Sequence, residues 1–387
     1  MYKRFDKEPS EKAKKKLGSS RDYCVDLIPK FIMSCGKFSD MLYITGVTRY
    51  LEFQCVDGSY VYNGKSKTTP KMPSSADEAL STPLLSLIQK LKFKSFLTAV
   101  SEMEIPGEDG VDSDEDVPAN RITMKELYKK YGLDENCQDF TGHAMALQLN
   151  DDYLDEPATE TVRAIKTYGY SVNAYGNSPF IYPLYGLGGL PEGFSRLCAI
   201  KGGVFMLNHS PDELLFDDDG TIKGVVSEGA AASCQFIVGD PSYFPDDMLR
   251  ETGKVVRSIC FINHPIKGTG DSKSAQVIIP AKQVARAGYP ARSSGIFLSF
   301  PYSFIDIYIS CVSFDHNVCA KGIYIAIAST TVETNDPTNE LTPAFDLLGD
   351  IMERFDEVSL TYEPIANGQQ DKCFISTSYD ATRFVLF

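Results

Sequence analysis

Four histidines, ten cysteines and several paired carboxylates are the residue types in this 387-residue chain that could do chemistry. The histidines, His143, His209, His264 and His316, show no HExxH spacing and neighbour no cysteine pair, so no metal centre is expected. His143 sits in a small-residue helical run, which suits a hydrogen-bonded packing role, and His316 follows Asp315 in a strand-end loop. The cysteines are scattered without a CxxC pair, mostly in apolar runs such as VVRSICFI. There a thiol behaves as a small hydrophobe, and reduced structural thiols in a reducing compartment are expected. The acidic clusters DDYLDE, DDDG and DSDED fall in turns and read as solvated loop charge. With no GxSxG elbow and no GxxxxGK[ST] loop, nothing here forms a catalytic set.

The strongest motif is a turn. From Ser178 to Gly203 the chain reads SPFIYPLYGLGGLPEGFSRLCAIKGG. Gly186, Gly188 and Gly189 let the backbone turn sharply and pack close, and Pro191 suits the start of a helix. A glycine turn feeding a helix N-terminus is a common seat for phosphate. The helix should bury Phe194, Leu197 and Ile200 and expose Glu192, Ser195 and Arg196, with VFMLN as the strand that follows. This pattern fits a cofactor loop and a plain loop–helix–strand connection alike. The chain opens MYKRFDKEPSEKAKKK, with no buried strand leading into a GxGxxG turn.

The elements that position these residues need a core. At 43% hydrophobic and 23% charged, the composition is that of a soluble globular protein, long enough for two domains. A net charge of −14 disfavours non-specific binding to nucleic acid or anionic lipid. The lysine-rich start lacks the apolar run of a secretory signal. Gly295–Phe314 is interrupted by Pro301 and Asp306 and ends in strand-like alternation, so a strand is expected rather than a membrane span.

To about Lys71 the sequence mixes a helix with strands, and YLEFQCVDGSYVYNG reads as a hairpin turning at Asp57-Gly58. From Ser74 to Tyr175 it is helical: Leu84, Leu87, Ile88, Leu91 and Leu97 fall at helix spacing. Thr123 and Glu126 stand in capping-box register, with Gly132 as C-cap. CQDFTGHAMALQL and TETVRAIKTYGYSV supply two more helices, and EIPGEDGVDSDEDVPAN is an acidic loop. After Tyr175 strands return: a hairpin turning at Asp219-Gly220, a buried strand in CQFIVGDPSY stopped by Asp240-Pro241, and KGIYIAIASTTVE. An acidic helical segment follows around 344–355. The layout is an α/β domain, residues 1–72 and 176–387, interrupted by a helical domain at 73–175.

Long phrases in this order resemble the Rab GDP dissociation inhibitors, in the group that also holds the Rab escort proteins. They are RDYCVDLIPKFIM, YITGVTRYLEF, DFTGHAMAL, SPFIYPLYGLGGLPEGFSRLCAIKGGVFMLN, GDPSYFPD, YIAIASTTVET and SYDAT, and they cover nearly the whole chain. The resemblance implies an FAD-binding-like three-layer α/β domain with an inserted all-helical domain, put to use as a chaperone without a cofactor or chemistry of its own. It implies a cytoplasmic monomer that binds prenylated, GDP-bound Rab GTPases, slows GDP release, shields the geranylgeranyl groups, and cycles Rabs between membrane and cytosol with transient membrane contact. The alternatives are an escort protein that presents Rabs for prenylation and, in another class, a flavin-dependent oxidoreductase of the same fold.

By the same resemblance, the platform for the GTPase falls on Gly189, Glu192, Arg196, Val204 and Met206. Arg196 and Met206 match the family pattern, whereas Gly189 replaces a glutamate, Glu192 a glutamine and Val204 a threonine. Tyr50 and Leu51 in TGVTRYLEF are expected to hold the GTPase segment before its lipidated cysteines. Gly142 and Ala146, one turn apart, would let helices part to admit a prenyl chain. Three departures stand out: a first βαβ unit of the family lies ahead of where this chain starts, residues 287–303 look like an insert, and the end SYDATRFVLF diverges.

Overall fold

The computed structural model describes residues 1–73, 85–107, 112, 117–148, 151–176, 178–284 and 306–381. The expected insert at 287–303, Leu84 and much of the acidic loop lie outside these residues, as does the final stretch 382–387.

A six-stranded sheet forms the centre. In sheet order it runs Glu353–Pro364 (β13), Leu249–Ile262 (β9), Tyr324–Thr331 (β12), Ile307–Ser313 (β11), Ala275–Ile279 (β10) and Gly58–Val61 (β3). All neighbours are antiparallel except β3, which pairs parallel with β10. Strands β10 and β11 are buried along their whole length. That accounts for near-continuous β-branched and small apolar residues there, since both faces must be dry. One face packs under the short helix Thr342–Leu348, whose Leu347 and Leu348 share a core cluster with Ile262, Val277 and Ile309. The opposite face, with Phe261, Tyr308 and Phe355, is continuous with the interior of the helices.

Those helices are Leu87–Glu102, Met124–Tyr131 and Ala158–Tyr175, with shorter turns at Pro118–Arg121 and Glu135–Asp139. The capping box forms as expected: Thr123 and Glu126 exchange hydrogen bonds, and Gly132 closes the helix at φ +65°. The helix-spaced residues from Leu87 on do fall on a helix, Leu87–Glu102, although not all on its buried face. Leu87, Ile88 and Leu91 are exposed, and the buried face of that helix is Phe93, Phe96 and Val100. Two apolar faces exist on one helix, and the aromatic pair buries the larger area.

Several turns also differ from expectation. Asp57-Gly58 does not close a hairpin: Phe53–Cys55 (β2) joins Phe180–Pro183 (β4) and Ile32–Met33 (β1) in a separate sheet, whereas β3 enters the large one. The Asp57 carboxylate accepts from Lys273 N at 2.6 Å and so ties that turn to the entry of β10. The hairpin at Asp219-Gly220 does form, between Glu213–Phe216 (β5) and Ile222–Ser227 (β6), with Gly220 at φ +81°. The strand stopped by Asp240-Pro241 is Ile237–Gly239 (β8), but it is half-exposed rather than buried. The acidic helix ends at Leu348, and Phe355 belongs to β13. Among the described residues no helix is long and apolar enough to cross a membrane.

Candidate functional site

The glycine turn already holds a carboxyl group, and it is the chain's own. Asp26 accepts hydrogen bonds from the Tyr182 hydroxyl and from the Leu187 N–H, the latter at 2.8 Å. Gly186 lies at φ +88°, and a Cβ there would stand 2.8 Å from the same carboxylate oxygen. Burial raises the Asp26 carboxyl above its ordinary value, while the bonds from Tyr182 and Leu187 pull it back. A dinucleotide diphosphate needs such N–H groups free. The residues at this turn therefore do not fit one: the glycine makes room for Asp26.

Beyond the turn, Gly189–Ile200 forms a helix, α8, the eighth α-helix among the described residues. It packs on the helix Lys37–Thr45 (α2) and on the 3-10 turn Val47–Tyr50. Gly46 caps α2 in the left-handed region at φ +70°, which swings the chain into that 3-10 turn. A small core of Ile32, Leu42, Val47, Ile181 and Leu190 holds the three elements together. The packing is tight at Gly193, where a Cβ would meet Val47 Cγ1 at 3.0 Å.

This packing joins the two groups of expected partner-binding residues. The Arg196 guanidinium stands over the Tyr50 ring at 5.1 Å, and a Cβ on Gly189 would lie 3.2 Å from Leu51 Cδ2. Glu192 points to solvent on the same helix. After α8 the chain doubles back, with Gly203 N bonded to Cys198 O at 2.9 Å. It then runs out with Val204 89% and Met206 64% exposed. Residues 204–206 belong to no strand or helix, so the expected VFMLN strand does not form. Ile200, expected in the core, faces solvent, because Leu190 and Gly193 supply the buried contact instead.

Sequence reasoning missed Tyr43 and Ile44 on α2, each 81% exposed. Adjacent large apolar side chains left in solvent are candidates for an interaction surface. The signal was legible in DMLYIT, where Leu42 alone was needed for the core.

The second expected site lies among the helices. Phe140–Met145 is a π-helical turn, a form common at functional positions. Gly142 and Ala146 are both buried, and a Cβ on Gly142 would fall 2.0 Å from Tyr153 Oη. Tyr153 thus occupies the space beside Gly142. The cleft bordering Phe140 encloses only about 20 Å³, whereas ligand pockets run to ~300 Å³ or more.

His143, in the same turn, lies 3.0 Å from the Gln148 carbonyl and 3.0 Å from Asp306 Oδ2 through Nδ1, and 3.3 Å from Asp151 through Nε2. Burial alone would depress the imidazole, but Asp306 and Asp151 outweigh it and push it up to about 10. Asp139, His143 and Asp151 bring ligand-type atoms within 4.8 Å of one another. Both His143 ring nitrogens are engaged, Nδ1 by the Gln148 carbonyl and Asp306 and Nε2 by Asp151, so the group works as an ionic latch. Asp306 also accepts from Ala281 N at 3.0 Å, which fastens the π turn to the sheet end where β10 and β11 meet.

The family model described as GDI, GDP dissociation inhibitor, matches residues 1–385. Over 374 residues the chain is 46% identical to the "Probable secretory pathway GDP dissociation inhibitor 1" of Schizosaccharomyces pombe, covering 97% of this chain and 80% of that protein. It is 46% identical over 387 residues to "Guanosine nucleotide diphosphate dissociation inhibitor 2" of Arabidopsis thaliana, covering 99% and 81%. The crystal structure of Rab GDI from Plasmodium falciparum superposes with a TM-score of 0.85 at 41% identity, over 98% of this chain and 83% of that one. An oxidoreductase from Methanosarcina mazei superposes at 0.50 with 10% identity, over 90% and 81%, a likeness of fold alone.

Proposed function

The chain belongs to the GDP dissociation inhibitor family, and on that footing we propose that it binds a prenylated Rab GTPase in its GDP state. The fold is that of Rab GDI, a mixed α/β architecture shared with an oxidoreductase. In this reading α8 and the following segment meet the GTPase domain through Gly189, Glu192, Arg196, Val204 and Met206. Tyr50 and Leu51 hold the GTPase chain on its way to the lipidated cysteines. The helical residues 73–175 act as a domain that shelters the geranylgeranyl groups, with Gly142 and Ala146 at the point where helices separate. Residues 1–72 and 176–387 form the discontinuous docking domain. The protein slows GDP release and cycles Rabs between membrane and cytosol as a cytosolic monomer.

One observation carries this most directly: the Arg196–Tyr50 stack fuses the two expected contact groups into one surface. The role is a binding one, and the Asp26-filled turn weighs against the oxidoreductase alternative.

The test is extraction of prenylated Rab from liposomes by the purified chain. Release of the GDP-loaded form, with the GTP-loaded form left behind, is expected. A folded protein that extracts neither form, or that turns over a redox substrate, refutes the reading.

A further inference from the structure

The helix Leu87–Glu102 carries an apolar face with no partner among the described residues. Leu87 is 74%, Ile88 67% and Leu91 60% exposed, while Phe93, Phe96 and Val100 bury the opposite face. Leu87, Lys90, Leu91 and Lys94 follow the i, i+3, i+4, i+7 spacing of one helical face. Lys92 is tied back, its Nζ donating to Gly132 O at 3.0 Å. Lys90 and Lys94 make no ion pair among the described residues. Lys129 and Lys130, in the last turn of Met124–Tyr131, lie on the helix that packs beside this one. A cationic, leucine-rich strip thus stands on a protein whose net charge is −14.

From this geometry we propose that the Leu87–Lys94 face docks on the surface of an anionic bilayer. Three large aliphatic side chains sink into the headgroup boundary while Lys90 and Lys94 meet lipid phosphates and carboxylates, the division of labour of an interfacial amphipathic helix. The local charge argues for lipid over a second copy of this chain, because two copies of this strip would bring lysine against lysine whereas anionic headgroups meet Lys90 and Lys94. The inference deepens the proposed function, on which it rests for the need to meet membranes. The same helix shelters Phe93, whose ring lies 5.0 Å from Phe140 in the π turn. Docking through its outer face would bring the proposed lipid-sheltering helices against the bilayer from which a prenyl chain must leave.

The test is flotation of the purified chain with liposomes of neutral phosphatidylcholine and of phosphatidylcholine containing phosphatidylserine. Preferential binding to the anionic vesicles is expected, falling steeply as salt is raised. Each lysine near such a surface is worth about fivefold in partition, so Lys90→Glu with Lys94→Glu should lower binding by about thirtyfold or more. Leu87→Gln with Ile88→Gln and Leu91→Gln should lower it similarly, and these exposed positions should leave circular dichroism and the melting temperature unchanged. Equal binding to neutral and anionic vesicles, or variants that bind like the parent, overturns the proposal. So does loss of a dimer in the glutamine variant by sedimentation, which would assign the face to a second copy. Inhibition of GDP release from soluble, unprenylated Rab reads the other surface. If it persists while flotation fails, only the membrane inference falls.

Discussion

Replacing Arg196 by alanine tests the docking surface most sharply. The side chain is exposed, stacked over Tyr50 at 5.1 Å, and is not part of the core that holds α8 in place. Its removal should therefore change folding stability by no more than about 0.5 kcal/mol, the ordinary range for a surface position. If the stack lies at the centre of a partner interface, the cost in binding is larger. An arginine hot spot contributes about 2 kcal/mol or more, close to a thirtyfold rise in Kd. Tyr50→Ala removes the platform beneath the guanidinium. An exposed cation–π pair contributes about 0.5–1 kcal/mol, so the double variant should lose less than the two singles summed, by about that amount. Arg196→Lys keeps the charge but loses the planar stack, and should fall between. The assay is the rate of fluorescent GDP release from Rab across a titration of each variant, with urea unfolding as control. An Arg196→Ala protein of unchanged stability that inhibits within twofold of the parent would refute the assignment. So would strictly additive losses for Arg196 and Tyr50.

Three further outcomes follow from the same contacts. Gly142→Ala forces a methyl group against Tyr153, so urea unfolding should show a loss of about 1–3 kcal/mol, the cost of overpacking a dry site, partly recovered by Tyr153→Ala. His143 has a folded value near 10 against an ordinary 6.5, so its contribution is complete below pH 6.5 and lost as pH rises through 10. His143→Gln should flatten the stability profile across that window, and an unchanged profile would remove the latch. Glu353 is buried, which disfavours its charge. Lys7 Nζ at 2.6 Å and the bonds from Ser10 nevertheless hold it down to about 2. A depressed carboxylate stabilises above its ordinary 4.5 and loses that contribution as pH falls toward 2. Proteolysis of the N-terminal segment should accelerate over that interval, and Lys7→Met should move its onset to higher pH.

The sequence by itself determined features that depend on a few neighbouring residues. The Thr123–Glu126 capping box, the Asp219-Gly220 hairpin, the Gly132 helix end and the long β-branched strands β11 and β12 all form where local chemistry placed them. Family membership was equally legible, carried by phrases spread over nearly the whole chain. Tertiary structure decided whatever depended on distant partners. Leu87, Ile88 and Leu91 had helical spacing, but Phe93 and Phe96 offered more area to bury, so the leucines turned outward. Asp57-Gly58 had the residues of a hairpin, yet β3 found β10, more than two hundred residues away. Most of all, a glycine turn that spacing alone left open between cofactor loop and connector was settled by Asp26, 160 residues earlier in the chain. Periodicity records which side chains share a face. What that face meets is set by competition for buried area and hydrogen bonds across the folded chain, and a linear pattern carries no term for it.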